Sequence, residues 1–424
     1  MRSALAPHGT AVFIALRQLW ERKLLNGIAV GGVTLGVLVL IAMNGIMKGF
    51  EEKFTSTILK ISPHVVLFDT ELRARPSMLE GYAGGPVAAR VAHESPSERD
   101  ARIKRPSEIV RALRSVRGIE AVAASVAGTA LLEFGGKTKS VDLRGIDVAA
   151  QDAVTPIHKY VKEGRLADLD TNADAIVLGS GIAKDLGLHV GDTAHASAPG
   201  GRALDLKVAA IFDVEVPPVD KTRGYTMLRT AQTLLGRPDA IGRIEIRLAD
   251  PEEAIRVNDE VERMFGYDGE SWKESNANFL AIFKMQDMVV GFVISAILLV
   301  GGFGILAVQI MIVLQKQRDI AILRSVGLRR GDILRIFLLQ GVLIAIVGGA
   351  LGDLLGKVAL HFIAQLPVKA EGLVKADTFL VHEEGAIYVS GVVFALLVGV
   401  VASLIPAIRG SRVEPVEVLR GQIG

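Results

Sequence analysis

The chain has 424 residues, 50% of them hydrophobic, with 48 Lys+Arg against 46 Asp+Glu and no cysteine. Lack of cysteine excludes disulfides, thiolate nucleophiles and cysteine-held zinc. Mean hydropathy is +0.39, and the apolar excess excludes a fully soluble protein because it collects in charge-free runs at 24–47, 288–315, 336–352 and 385–408. A helix needs about 20 apolar residues to cross a bilayer. Most of the chain lies between the first two runs, which excludes a compact many-helix transporter.

In chain order, residues 11–23 read as an amphipathic helix, with Phe13, Leu16 and Trp20 on one face and Arg17 and Glu21 flanking it. It either lies in the membrane interface or extends the first span. The apolar run starts too late, after Arg17, Glu21, Arg22 and Lys23, for a secretory signal. Span one covers 25–47 and carries Gly27, Gly31, Gly32 and Gly36, small residues that let helices approach. Beyond it Met47, Phe50, Phe54, Ile58 and Ile61 form a heptad-like seam. Ile282, Met285, Val289 and Phe292 repeat with similar spacing on the way into the second span. These segments are read as two stalk helices packed together, or else as ordinary core helices of the outer block.

The block between them reads as α+β. A strand is expected at 64–68, a helix from 106 to about 116, and strands at 119–134 and 139–146 around Gly135-Gly136. A strand at 175–179, a helix at 180–187, a short hairpin at 192–197 and 204–213, a strand at 244–247 and a helix at 251–265 follow. Alternating pieces of this kind suggest two lobes. Residues 74–105, with Pro76, Pro86 and Pro96, read as a loop or insertion, and Pro217-Pro218 as a loop between strands.

Span two, 285–315, leads into the basic segment 316–331, read as a short helix ended by Gly327 and a new start near Gly331. Ile320, Leu323 and Val326 would form its apolar face, for insertion into a partner or for anchoring at the interface. Span three, 332–363, is glycine-rich and places Asp353 and Lys357 four residues apart, as an intramembrane functional pair or a structural pair reaching the interface. A short loop at 364–385, span four at 386–408 and a tail at 409–424 complete the chain. Arg17, Arg22 and Lys23, the bases of 316–335, and Arg409, Arg412 and Arg420 put both termini and the middle loop on the cytoplasmic side. Residues 48–287 hold 32 bases and 36 acids, so the outer block is acidic. The expected fold is therefore an α-helical membrane domain of four transmembrane helices plus a large extracytoplasmic α+β domain, 48–284, on stalk helices, preceded by a cytoplasmic helix at 1–24.

Catalytic signatures are missing from the sequence. Gly136-Lys137-Thr138 is no P-loop, since Leu131 stands where the first glycine belongs. Ser180 lies between Gly179 and Gly181, but Leu178 and Ile182 replace the outer glycines of a nucleophile elbow. The histidines form no HExxH, and His189 and His195 read as surface residues. Aromatics at 5% and the lack of aromatic–basic interleaving give nucleic-acid binding no support.

Four segments carry a family likeness: Phe13-Ile-Ala-Leu-Arg-Gln-Leu; residues 36–63 with Met47-Lys-Gly-Phe-Glu-Glu; Gln317-Arg-Asp-Ile-Ala-Ile-Leu-Arg-Ser-Val-Gly-Leu running on to Leu339-Gln-Gly; and Ile405-Pro-Ala-Ile-Arg-Gly-Ser-Arg-Val-Glu-Pro-Val-Glu-Val-Leu-Arg. Residues 176–192, Ile-Val-Leu-Gly-Ser-Gly-Ile-Ala-Lys-Asp-Leu-Gly-Leu-His-Val-Gly-Asp, add to it. Together they resemble the FtsX/MacB-type (type VII, mechanotransmission) permeases of ABC transporters, most of all the lipoprotein-releasing LolC/LolE type. The resemblance implies a multi-pass protein of the bacterial inner membrane with its large domain in the periplasm. It implies a non-catalytic subunit that binds no cofactor itself, with ATP and Mg used by a separate cytoplasmic ABC ATPase present in two copies.

By the same resemblance Gln317, Asp319, Ile320, Ile322, Leu323, Ser325, Val326 and Gly327 would couple to that ATPase, with the Pro415 tail nearby. A second permease chain, identical or different, would complete the unit. Met43, Met47, Phe50, Met288, Val289 and Phe292 would line a cavity for the lipoprotein or lipid substrate. A protruding hairpin recruits the periplasmic carrier in the chaperone-binding member; here the corresponding connection, 198–203, is too short to protrude far. A carrier or adaptor using another surface, such as 74–105, is a further candidate partner. The alternatives are an efflux permease working with a periplasmic adaptor and a signalling scaffold like FtsX.

Overall fold

The computed structural model describes residues 7–21, 23–69, 102–371 and 375–414. In chain order it runs α1 (Pro7–Glu21), α2 (Lys23–Ile61), β1 (Val65–Phe68), α3 (Pro106–Leu113), β2 (Ile119–Phe134), β3 (Lys137–Ile146), α4 (Val148–Val154), β4 (Val161–Gly164), β5 (Ala175–Gly179), α5 (Ser180–Leu186), β6 (Thr193–Ser197) and β7 (Leu204–Phe212). There follow α6 (Pro217–Asp220), β8 (Arg223–Met227), α7 (Leu228–Leu234), β9 (Arg243–Leu248), α8 (Ala254–Phe265), β10 (Asp268–Ser271), α9 (Ala277–Gln315), α10 (Gln317–Ser325), α11 (Arg330–Ala364), β11 (Pro367–Glu371), β12 (Lys375–Thr378) and α12 (Gly385–Ser411). Two compact units result: Met1–Glu52 with Ala281–Val368 and Asp377–Gly424, and Lys53–Leu280 with Lys369–Ala376.

In the first unit α2, α9, α11 and α12 are long and apolar enough to cross a membrane. Lipid gives apolar side chains no reason to leave it for each other, so such helices associate through close packing and polar contacts. Gly352 shows the close packing, because a Cβ there would meet the Val37 Cβ at 2.6 Å. At Gly341 a Cβ would lie 1.6 Å from Ser403 Oγ, so α11 and α12 touch almost backbone to backbone. Gln309 Nε2 donates to Ser403 Oγ at 3.0 Å and to the Phe337 carbonyl at 3.3 Å. Thr34 Oγ1 donates to the Gly348 carbonyl at 3.2 Å. The expected Asp353–Lys357 pair does not form. Lys357 is exposed, while Asp353 Oδ1 is buried without a hydrogen-bond partner among the described residues, packed where a Cβ on Gly391 would lie 2.7 Å away. Four-residue spacing fixed the side but not the direction of each side chain: one turns toward α12 and the other outward.

The second unit is built on one mixed sheet of order β10-β1-β9-β2-β3-β8-β5-β7-β4, with β6 bridging β2 and β7. The sixteen-residue β2 makes the two lobes: Ile119–Ser125 pair with β9, and Val126–Phe134 pair with β3. Alternating side chains serve separate cores. Ile244, Ile246 and Val122 pack with Leu67 and Val257, whereas Leu132, Leu143, Leu178 and Leu206 pack in another cluster. The β2–β3 turn is Gly135-Gly136, both with positive φ (57° and 76°), the geometry that a two-residue hairpin of right-handed twist demands.

Three further expectations need correction. Pro217-Pro218 begins a short helix, α6, because proline suits a first turn whose N–H groups need no partner. The segment 364–385 carries a two-stranded sheet, β11–β12, rather than a plain loop. The apolar seam on the second stalk is shifted: Phe279 meets Phe54 at 5.2 Å and Phe283 meets Phe50 at 5.9 Å between ring centroids, and Gln286 reaches the Met47 sulfur. Ile282, Met285, Val289 and Phe292 face outward instead. A polar Gln286 inside the true seam hid it from a search for apolar spacing. The proposed insertion at 74–105 lies mostly outside the described residues; from Arg102 the chain is described, and Ile103 is buried.

Candidate coupling segment and lateral apolar face

The segment between α9 and α11 is short, basic and amphipathic. Gly327, with φ +113°, ends α10, and its N–H and that of Leu328 bond back to Arg324 and Leu323 carbonyls at 3.1 and 3.2 Å. Only a residue without a Cβ turns there at no steric cost. Asp332 Oδ2 accepts the Arg329 N–H at 3.0 Å and starts α11.

α10 has two faces. Ile320 (3% exposed) and Ala321 are buried, and Leu323 packs beside Ile320 against the apolar core of the membrane unit. Arg318, Asp319, Ser325 and Gly327 are exposed, as are Ile322 (51%) and Val326 (78%). The expected face of Ile320, Leu323 and Val326 is therefore divided. Its first two members anchor the helix inward, and only Val326 is presented outward, beside Ile322 one turn earlier. Gln317 is half-buried between the faces.

Ion pairs and a hydrogen bond hold this segment to α1 and to the residues after α12, contacts that no local sequence pattern announces. Lys316 Nζ donates to Glu21 Oε2 at 2.7 Å and lies 3.9 Å from Asp319. The Lys316 ammonium holds the Glu21 carboxyl below its usual range, chiefly through that hydrogen bond. Arg324 Nη1 donates to the Val413 carbonyl, and Arg330 is 3.9 Å from Glu414. Pro415, expected beside this segment, lies outside the described residues. These pairs span about 300 and 90 residues of sequence, with no local spacing to announce them.

The residues expected to form a substrate cavity fall into two groups. Met43, Met47 and Phe50 are half-buried on α2, with Met47 and Phe50 occupied by α9. Met288, Val289 and Phe292 (76% exposed) lie on an open stripe of α9 that starts at Met285 and continues through Leu299 and Phe303. Within one chain the two groups do not enclose a cavity. The stripe leaves flexible methionines and aromatic rings exposed. The 198–203 connection, compared above with a carrier-binding hairpin, folds back: a Cβ on Gly201 would lie 1.6 Å from the Leu234 carbonyl oxygen.

Comparison with known proteins agrees with this architecture. The MacB-like periplasmic core domain family matches residues 27–264, and the FtsX-like permease C-terminal family matches 291–415. The chain is 27% identical to the lipoprotein-releasing system transmembrane protein LolC of Xylella fastidiosa (strain 9a5c) over 92% of each chain. It is 28% identical to the corresponding LolE of Haemophilus influenzae, again over 92% of each. It is 24% identical to the macrolide export ATP-binding/permease protein MacB of Agrobacterium fabrum over 99% of this chain and 61% of that one. With its core domain matched over more than half the sequence and its membrane helices matched beyond it, the chain belongs to the family of membrane permeases that combine a MacB-like periplasmic core domain with an FtsX-like C-terminal region.

Proposed function

We propose that the chain is the permease subunit of an ABC transporter that releases lipoproteins from the inner membrane by mechanotransmission, with ATP and Mg handled by a separate ATPase chain. The outward face of α10 is the observation that carries this reading. Two apolar side chains, Ile322 and Val326, stand exposed among charges on a helix fixed from behind by Ile320 and Leu323. Burying each against a partner gains about 1.5–3 kcal/mol, and the rigid backing lets a push on α10 pass into α9 and α11 rather than bend a loop. The Lys316–Glu21 ion pair and the Arg324 hydrogen bond to the Val413 carbonyl tie α1 and the segment after α12 to α10.

The relatives named as lipoprotein-releasing system proteins support the substrate. So does the open stripe of α9, whose Met288, Val289 and Phe292 suit acyl chains of variable packing. In this reading two permease chains and two ATPases form the unit, and the acyl chains sit against α2 and α9.

The test is reconstitution. The chain, co-expressed with its ATPase and any second permease chain and placed in liposomes with a lipidated protein, releases that protein on addition of ATP and Mg. Phe292→Glu in α9 reduces release while leaving ATPase binding intact. ATP-dependent movement of a soluble drug, with the lipidated protein retained, would replace this reading by the efflux alternative.

A further inference from the structure

The domain unit holds a cavity of about 270 Å³, close to the small end of ligand pockets at about 300 Å³. Its lining includes three arginines, Arg144, Arg223 and Arg243, together with the apolar residues Phe54, Ile58, Val219 and Phe279. Arg144 stands on β3, while Arg223 and Arg243 begin β8 and β9. Pairing fixes their approach, since Asp142 of β3 lies opposite Arg223 in a parallel ladder.

The charges do not balance. Glu245, fully buried, accepts from Arg144 Nη1 at 3.0 Å, Gln151 Nε2 at 2.7 Å and Ser125 Oγ at 3.4 Å. Asp142 Oδ2 lies 3.5 Å from Arg144 Nε and 3.6 Å from Arg223 Nε. Both carboxylates are thus engaged by the other two arginines. Arg243 makes no side-chain hydrogen bond or ion pair among the described residues, and its buried Nε has no acceptor. Burial first, and Arg144 beside it, push the Arg243 guanidinium below its ordinary range. Arg243 as a whole is half-buried, but a guanidinium whose inner N–H has lost water without gaining an acceptor is destabilising. A further anion would remove that cost.

We propose that this cavity binds a phosphate-type oxyanion carried on an apolar chain, with Arg243 as the principal ligand and Arg144 and Arg223 beside it. A guanidinium fork matches two phosphate oxygens at once, and the Phe54, Ile58 and Phe279 wall takes the apolar part. Free phosphate and a phospholipid head group share this chemistry. The site does not depend on the transport reading above.

Full-length protein in detergent is titrated with inorganic phosphate, with dihexanoyl phosphatidylglycerol and with dihexanoylglycerol, which lacks the phosphate, following Tm and binding heat. Saturable stabilisation by either phosphate compound, but not by dihexanoylglycerol, is the expected result. Stabilisation by inorganic phosphate identifies free anion as a sufficient ligand; stabilisation by phosphatidylglycerol alone identifies a lipid head group. Arg243→Met weakens binding at least about tenfold, the loss of a charge-assisted hydrogen bond, while the unliganded variant is as stable as wild type or more so. Arg223→Gln, which keeps Arg243, weakens binding by a smaller factor in a second background. The proposal is overturned if neither phosphate compound binds, or if both variants bind as wild type does.

Discussion

The two units treat a buried carboxylate in opposite ways. In the domain unit Glu245 is fully buried and holds a guanidinium, an amide and a hydroxyl. In the membrane unit Asp353 presents a buried oxygen with no partner among the described residues. The first carboxylate locks β2, β3, β9 and α4 together through directed bonds. The second sits in a helix packing made by glycine and small apolar contact, which holds with or without it. The domain unit thus holds its carboxylate in a polar network, while the membrane helices around Asp353 meet through close glycine contacts.

Breaking each carboxylate separates these modes most strongly. Glu245→Ala strands Arg144 in the core and destabilises the domain by about 3–5 kcal/mol, read from denaturant unfolding. Asp353→Asn leaves the Tm of the membrane unit unchanged or raises it. The shape-based mode is tested next: Gly352→Leu forces side chain into Val37 and costs about 1–3 kcal/mol, whereas Gly331→Ala, with open space around it, changes stability by less than about 0.5 kcal/mol beyond helix propensity.

The smallest effect is electrostatic. His382 Nε2 lies 3.2 Å from Glu384 Oε2 and Nδ1 lies 2.5 Å from Glu52 Oε2. The hydrogen bond to Glu384 leads in raising its imidazole above the ordinary value, with Glu52 adding to it against burial. Protonated histidine is therefore favoured in the folded chain. Its contribution is fully present below the ordinary value of about 6.5 and is lost as pH rises through the raised folded value. The Tm difference between wild type and His382→Gln is largest below about pH 6.5 and shrinks as pH rises above it. A difference that stays constant with pH would remove His382 from the account.

These contrasts also explain what the sequence disclosed. Charge-free runs of bilayer length announce membrane helices without any tertiary knowledge, and Gly135-Gly136 announces its hairpin because the turn is local. The Glu245 cluster was invisible, since Ser125, Arg144, Gln151 and Glu245 are drawn from four distant elements and read individually as ordinary strand or helix polar residues. The stalk seam was misplaced by one position because Gln286 belongs to it. On α10 the periodicity located an amphipathic helix. It offers the face of Ile320, Leu323 and Val326 to a partner or to the membrane interface, because apolar spacing cannot distinguish a face packed on its own chain from one left open. The family resemblance names Ile322 among the coupling residues; that it stands on the open face follows from the packing.

Ile322 and Val326 on that open face carry the proposed coupling. Leu323→Glu disturbs the membrane core as well as any partner, so the decisive variant is Ile322→Glu combined with Val326→Glu. The measurement is co-purification of the cytoplasmic ATPase with the intact permease in detergent, alongside the permease's own Tm. The double variant is expected to keep the wild-type Tm and lose the ATPase. Retention of the ATPase at wild-type stoichiometry by a folded double variant would contradict the proposed coupling.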